Sequence, residues 1–289
     1  MPGSCLMFNI RAGQMDDCKD LLTVYRTTRW PGRRYATVEE VKDEHRGSLF
    51  RKWGWLVAET EGTVVGEITF RTEANPTTGL VGQITGLDVD VRHQRQSIGR
   101  VLTKDAERIL SARGVNRIFV DSPPGAYNYW MKLNYFAKGG AARLTTNSRT
   151  VVSGKRKRLQ RTALDAAHSV PSYLQFHNLA YPCLLSHVAS RILDGGLRGT
   201  VMEFRSDDTL VGVGAAFRNG DASAFICADV TTDGASHIEG VIAETVRAAH
   251  GLGAGTVQTI APVEAIATYR AVTDWDVQPF PNVPVMRLL

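Results

Sequence analysis

Cysteine is scarce: four in 289 residues, Cys5, Cys18, Cys183 and Cys227. None forms a CxxC pair or shows metal-ligand spacing, so a zinc ribbon or disulfide-stapled scaffold is excluded and the thiols read as small core residues. No apolar run approaches the ~20 residues that a membrane span needs. The opening MPGSCLMFNIRAGQMDD lacks the charged and then apolar stretches of a secretory signal. The expectation is a cytoplasmic protein with no membrane partner. An excess of one charge is also missing: 34 Lys+Arg stand against 29 Asp+Glu, a net +5. Such weak basicity permits phosphate, acidic or nucleic-acid partners without requiring any. The densest basic run, SGKRKRLQR at 153–161, has no interleaved aromatics. It reads as a solvated linker or edge strand, and no nucleic-acid partner is expected.

What is present is ordinary globular material, 43% hydrophobic and 22% charged, long enough for two domains with cores of their own. In the first half, residues 8–11 pattern as a strand, and Asp16 and Asp17 can cap a following helix to about Tyr25. WLVAETEGTVVGEITFR alternates on either side of Glu61-Gly62 and predicts a hairpin. Residues 80–91 predict a long strand bent at Gly82 or Gly86. Ile98, Val101, Leu102, Ala106, Ile109 and Leu110 share one helical face, closed by Gly114. A strand at 117–120 and a short helix at 126–133 follow.

The second half repeats that order. DDTLVGVGAAF (207–217) parallels EGTVVGEITF (61–70), with Thr, an aliphatic, Val and Gly in register. A strand (224–230), a helix (238–249), a strand TVQTI and a helix EAIATYRAV come next, and AHGL is matched to ARGV at the helix ends. The matched order indicates an internal duplication. Expected boundaries are 1–150, a linker at 151–164, and 165–289.

Between the long strand and its helix stands VRHQRQSIGRVLT (91–103). A turn at a helix start exposes backbone N–H groups with no intrahelical partner, and the helix dipole adds partial positive charge there. Small residues let an anion approach, and arginines attract it, so the turn suits a phosphate or pyrophosphate. An ordinary loop with solvated arginines is the competing reading of the same residues.

This segment resembles the GNAT superfamily of acetyl-CoA-dependent N-acetyltransferases, whose long strand and turn read roughly V-x-P-x-Y-R-G-x-G-I-G. Val89, Val91, His93 and the run Gln94-Arg95-Gln96-Ser97-Ile98-Gly99, followed by Arg100, fall on those positions. Ser97 stands where a glycine belongs, with its N–H usable if φ is negative; Val91 replaces the proline. FNIRAGQMDDCKDLL is similar to the family's opening strand and helix, and AYNYWMKLNYFAKGG to its A-x-x-L-Y-x-K-L-G-F segment. Recognisable motifs cover 8–150; over 165–289 only the order of elements matches. The resemblance implies two α/β (α+β) domains, each a mixed, mostly antiparallel central sheet flanked by helices. It also implies acetyl-CoA, or another acyl-CoA, at the 89–100 segment, and a small-molecule amine as acceptor. TTDGASHIEGVIA, with Asp233, Glu239 and no arginine, marks the second copy as one that has lost the coenzyme turn. A monomer or a homodimer are both compatible.

The same resemblance implies that a backbone N–H near Val89 polarises the thioester carbonyl and that a base takes the amine proton. Base candidates are Asp88, Glu67, His93 and Asp121, with Asp88 favoured; Gln83, where several members carry glutamate, cannot act as one. Asp88 and Asp90 share a strand face, whose plainer reading is a solvated face or a hairpin salt bridge. The family's proton-donating tyrosine is replaced by Trp130, with Tyr127, Tyr129 and Tyr135 nearby, and its coenzyme-contacting asparagine by Pro123. Tyr129 and Trp130 therefore join Asp88 as catalytic candidates. Those replacements keep open a non-catalytic acyl-CoA binder, or an altered thioester reaction such as decarboxylation or transfer to a carrier thiol. The acidic Asp207, Asp208, Asp233 and Glu239 could line a carboxylate-rich cleft for a polycationic acceptor, or be ordinary turn residues, which is the preferred reading.

Overall fold

The computed structural model describes residues 8–28, 35–47, 50–75, 79–150, 159–165 and 184–289. The first elements are β1 (Asn9–Ala12), α1 (Cys18–Thr28), α2 (Val38–Glu44), β2 (Trp55–Thr60), β3 (Thr63–Asn75), β4 (Gly79–Val89), α3 (Ile98–Ala112), β5 (Arg117–Ser122), α4 (Tyr127–Lys132), β6 (Phe136–Ala137) and β7 (Ala141–Asn147). There follow β8 (Gln160–Leu164), α5 (Leu184–Leu193), β9 (Gly199–Ser206), β10 (Thr209–Arg218), β11 (Ser223–Val230), α6 (Ile238–Gly251), β12 (Thr256–Pro262), α7 (Ile266–Arg270), β13 (Asp276–Pro279) and β14 (Val283–Leu288). Two seven-stranded, mostly antiparallel sheets carry them. One holds β1-β2-β3-β4-β5 in that order together with the antiparallel pair β14-β6; the other runs β13-β7-β12-β11-β10-β9-β8. The chain separates into two compact units, one of residues 1–72, 80–120 and 287–289, the other of 73–79 and 121–286. Among the described residues no helix is long and apolar enough to cross a membrane.

In the first unit the β2–β3 hairpin turns at Glu61 (φ 51°) and Gly62 (φ 78°), the two positive φ values that a tight hairpin turn needs. The ladder pairs Ala58 with Gly66 but Glu59 with Val64, so Val65 is an extra, bulged residue. β4 and β5 are parallel from Val81↔Arg117 to Ile84↔Val120; pairing stops there while β4 continues to Val89. The register is constant through Gly82, so no bulge stands there. A Cβ at Gly82 would lie 3.0 Å from Leu110 and 3.2 Å from Val115: the glycine lets the end of α3 pack against the strand. α3 buries Ile98, Leu102, Ala106 and Leu110 on one face and ends at Gly114, whose φ of +83° turns the chain out. α1 and α2 pack Cys18, Leu21, Val24, Tyr25 and Val41 against Trp55 and Val57 of β2.

The second unit repeats these local solutions. Its β9–β10 hairpin turns at Asp207 (φ 48°) and Asp208 (φ 64°), so these acids are turn residues, as their sequence context indicates. Phe204 pairs with Gly212 and Arg205 with Leu210, which bulges Val211 as Val65 is bulged. β11 and β12 are parallel from Ser223↔Thr256 to Phe225↔Gln258. After α6 the residue that turns the chain is Gly253, again at φ +83°. Gly251 still lies in the helix, so the match of AHGL to ARGV is displaced by two residues. Residues 151–158 of the expected linker lie outside the described residues; Gln160–Leu164 forms β8, paired with β9 at the edge of the sheet. Cys18 and Cys227 are buried free thiols, while Cys5 and Cys183 lie outside the described residues.

Candidate active site

The end of β4 is fastened to β3 by its bulge. Asp90 N–H donates to the carbonyl of bulged Val65 at 2.9 Å, and a Cβ on Gly66 would come within 2.9 Å of the Asp88 carbonyl oxygen. Only glycine lets the two backbones approach so closely. The second unit reproduces both contacts: Thr231 N–H donates to Val211 O at 3.0 Å, and a Cβ on Gly212 would lie 2.8 Å from Asp229 O. Asp88 therefore has a counterpart in Asp229, and both are buried.

Asp88 and Asp90 do not form a solvated face; they are 3% and 2% exposed. Asp90 is held by Arg92, through Nη2 at 2.7 Å and Nε at 3.0 Å, and accepts the Arg92 backbone N–H at 2.8 Å. These bonds, chiefly those from the Arg92 side chain, hold its carboxyl below the usual range against the opposing effect of burial. His93 Nδ1 lies 3.8 Å from the same carboxylate.

Residues 94–97 then form an exposed turn into α3. Gln94 Nε2 donates to Val89 O at 3.0 Å, and Gln96 Nε2 to Arg92 O at 3.4 Å. Arg95 (φ 62°) and Ser97 (φ 66°) are both left-handed. The condition of a negative φ at Ser97 is thus not met: the serine is left-handed, a conformation that glycine adopts more readily, and it makes no side-chain cap bond to α3. Among the described residues, the backbone N–H groups of Gln94, Arg95, Gln96 and Ser97 meet no acceptor, and the first helical bond is Val101 N–H to Ser97 O at 3.0 Å. Ile98 is buried beneath the turn, Gly99 is half-buried, and Val91, Arg95 and Arg100 are exposed. The second unit's turn consumes its own donors. Gly234 N–H bonds Thr231 O and Oγ1, Ala235 N–H bonds Thr232 O, and His237 N–H bonds Gly234 O.

The other candidates are more dispersed. Glu67 is fully buried among side-chain donors of the first unit. Gln83 accepts from Arg71 Nε at 2.9 Å, and exposed Asp121 accepts from Asn282 at 3.0 Å. In the second unit Trp130, the fourth residue of α4, is 4% exposed, with Tyr129 and Tyr135 edge-on at 5.0 and 5.1 Å. Tyr127 is half-buried, and Pro123 precedes the turn that leads into α4. The fourth residue of α7 is Tyr269, with Trp275 edge-on at 5.7 Å. The fourth helical position is thus a tryptophan with tyrosines against it in the first copy and a tyrosine with a tryptophan against it in the second. Burial raises the Tyr269 hydroxyl well above its ordinary range.

Residues 17–135 match the sequence model of the Acetyltransferase (GNAT) family. This segment is a GNAT domain. No curated protein sequence matches the chain. Among solved structures, a GCN5-related N-acetyltransferase from Anabaena variabilis superposes with TM-score 0.68 at 10% identity, over 98% of this chain and 73% of that one. A GCN5-related N-acetyltransferase from Kribbella flavida gives TM-score 0.63 at 14% identity, over 98% and 71%. A tandem GNAT protein from the clavulanic acid biosynthesis pathway gives 0.54 at 13% identity, over 98% of both chains. Coverage of whole chains establishes the fold as two GNAT-like domains. Sequence reasoning located the strand, turn and helix of the GNAT domain. It missed the Asp90–Arg92 pair, for which an acid and an arginine two residues apart before the turn are the available signal.

Proposed function

We propose that the GNAT domain binds an acyl-CoA, acetyl-CoA in the simplest case, at residues 89–100 and passes the acyl group to the amine of a small molecule. The observation that carries this reading is the exposed 94–97 turn. Among the described residues, the N–H groups of residues 94–97 meet no acceptor at the start of a 15-residue helix, whereas the second copy's turn bonds its own donors. A diphosphate fits such a donor set, with Arg95 and Arg100 adding positive charge and Gly99 leaving room. The coenzyme supplies an acyl group activated as a thioester. The backbone N–H of Val89 would polarise its carbonyl. Asp88 would take a proton from the acceptor, because an amine with a pKa near 10 is mostly protonated at neutral pH. As the amine displaces the coenzyme, the C–S bond breaks and Tyr129, the hydroxyl neighbour of Trp130, would protonate the departing thiolate, since an indole N–H only donates a hydrogen bond. We take the protein to act in the cytoplasm, as a monomer or homodimer, without nucleic acid.

Trp130 favours a second reading, in which the GNAT domain binds acyl-CoA without transfer or acts on the thioester in another way. Calorimetric titration of acetyl-CoA and free coenzyme A into wild type and Gly99→Glu, with folding of the variant checked, tests the shared premise. Binding that Gly99→Glu abolishes supports the site; absence of wild-type binding removes both readings. Release of free thiol with an amine library then separates transfer from binding alone, and turnover of malonyl-type thioesters without amine identifies decarboxylation.

A further inference from the structure

The first unit holds a polar cluster that acyl transfer at the turn does not use. Glu67 of β3 has no exposed surface. Its Oε1 accepts the Tyr25 hydroxyl of α1, and its Oε2 accepts the Trp55 indole N–H of β2 at 3.0 Å. His45, the residue that caps the end of α2 and itself 2% exposed, places Nε2 3.1 Å from the same Oε2. On the other side of the ring, Nδ1 lies 2.8 Å from Val41 O. Phe50 and Trp55 enclose the imidazole, with ring centroids 5.0 and 4.4 Å away.

These contacts fix the protons. A carbonyl oxygen only accepts, so Nδ1 carries a hydrogen directed at Val41. A hydrogen bond between Nε2 and Oε2 then needs one more proton, on the imidazole or on the carboxyl. Either placement leaves the pair neutral overall. Donation by Trp55 and Tyr25 stabilises the carboxylate, and the carbonyl at the end of α2 stabilises a cation on His45, so the imidazolium–carboxylate form is preferred. We infer that His45 and Glu67 share one proton in the folded chain, and that this shared proton latches the end of α2 to β3 as a pH-sensitive catch.

The pH window follows from counting protons. With ordinary values near 4.3 for Glu and 6.5 for His, an opened pair binds one proton between those values, as the closed pair does, and stability there is level. Above about 6.5 the opened pair binds none, so closure binds a proton and the latch weakens by up to about tenfold per pH unit, until the closed pair loses its own. Below about 4.3 the opened pair binds two and the closed pair one, so the latch weakens again as pH falls. Among the described residues, the neighbouring charges are engaged with one another: Lys42 with Glu39 (2.8 Å), Arg46 with Asp43 (3.3 Å) and Glu39 (3.6 Å), and Asp17 with Arg11 (2.8 Å). The Cys18 thiol, pushed up to about 11 by burial and then by Glu67, stays neutral throughout.

Hydrogen exchange of the intact protein, resolved to peptides and corrected for the intrinsic pH dependence of exchange, reads the latch directly. In wild type, the opening constant of residues 38–45 should rise up to about tenfold per pH unit from pH 7 upward, while α6 stays level. His45→Gln and Glu67→Gln should each flatten that rise. A rise that persists in both variants, or α2 protection that tracks α6 at every pH, overturns the inference. If neither variant folds, histidine-ring 15N and glutamate-carboxyl 13C spectra of wild type at pH 6 decide it. A proton on Nε2 or on the Glu67 carboxyl supports sharing, and a bare Nε2 beside an ionised carboxylate refutes it.

Discussion

Replacing Ser97 with glycine should stabilise the GNAT domain, although it removes atoms. Ser97 sits at φ 66°, ψ 2°, a left-handed conformation that costs an L-residue with a Cβ roughly 1–2 kcal/mol. Its side chain is exposed and bonds no N–H of α3, so no capping contribution is lost. Against this gain stands the greater freedom of glycine in the unfolded chain, roughly 0.5–1 kcal/mol. The balance spans about 0–1.5 kcal/mol and centres on about 0.75 in favour of Ser97→Gly, an increase of roughly 2–5 °C in Tm at that centre for a domain of this size. Urea unfolding with an unchanged slope is the assay, read on the transition of the GNAT domain because two domains need not unfold together. Ser97→Ala is the control: it removes the hydroxyl but keeps the Cβ, and should leave the midpoint within about 0.5 kcal/mol of wild type. A destabilised Ser97→Gly, or equal shifts in the two variants, would refute the assignment of strain to φ.

Gly66→Ala and Gly212→Ala should each destabilise their own domain by about 1–3 kcal/mol, because the new methyl meets a carbonyl oxygen at 2.9 or 2.8 Å; separate melting of the two transitions shows whether each effect stays local. Asp90→Asn should lower the urea midpoint at pH 7 and lose its effect as pH falls through the carboxyl's depressed range. Asp90 titrates lower folded than unfolded, so its contribution is present above about pH 3.9 and disappears in acid; an equal gap at every pH would contradict this. Cys18, buried and pushed up to about 11, should react with iodoacetamide at pH 8 at least about a hundredfold more slowly in native than in denatured protein, followed by mass spectrometry of its peptide.

The elements of the GNAT domain were legible because each is specified locally. Glu61-Gly62 states a hairpin, and apolar residues at helical spacing from Ile98 state α3. β7 and β14 were not legible, because nothing in AARLTTN or VPVMRL says which sheet completes its pairing. α5 lies between β8 and β9 as α1 and α2 lie between β1 and β2, but no residue match between the halves marks it there. At the candidate site, the substitution of serine for glycine signalled an unusual position, but only the backbone angle shows that serine bears the strain instead of avoiding it. The burial of Asp88 and Asp90 is hidden by the bulge at Val65, which re-aims the strand end without any marker in the local residue types. His45 and Glu67 stand 22 residues apart, and no spacing rule joins a helix cap to a strand across a core.

The paired bulges at Val65 and Val211, each followed by a glycine and each receiving an N–H from beyond the neighbouring strand, separate what the fold requires from what a ligand would require. Both copies keep the clamp, down to a tenth of an ångström in the glycine approach, while the turn it supports is open in one and self-satisfied in the other. The clamp therefore behaves as a socket with an exchangeable insert. Moving the open turn's residues onto the second copy would put them on anchoring geometry that is already built, which makes this chain a natural host for a second anion-binding turn.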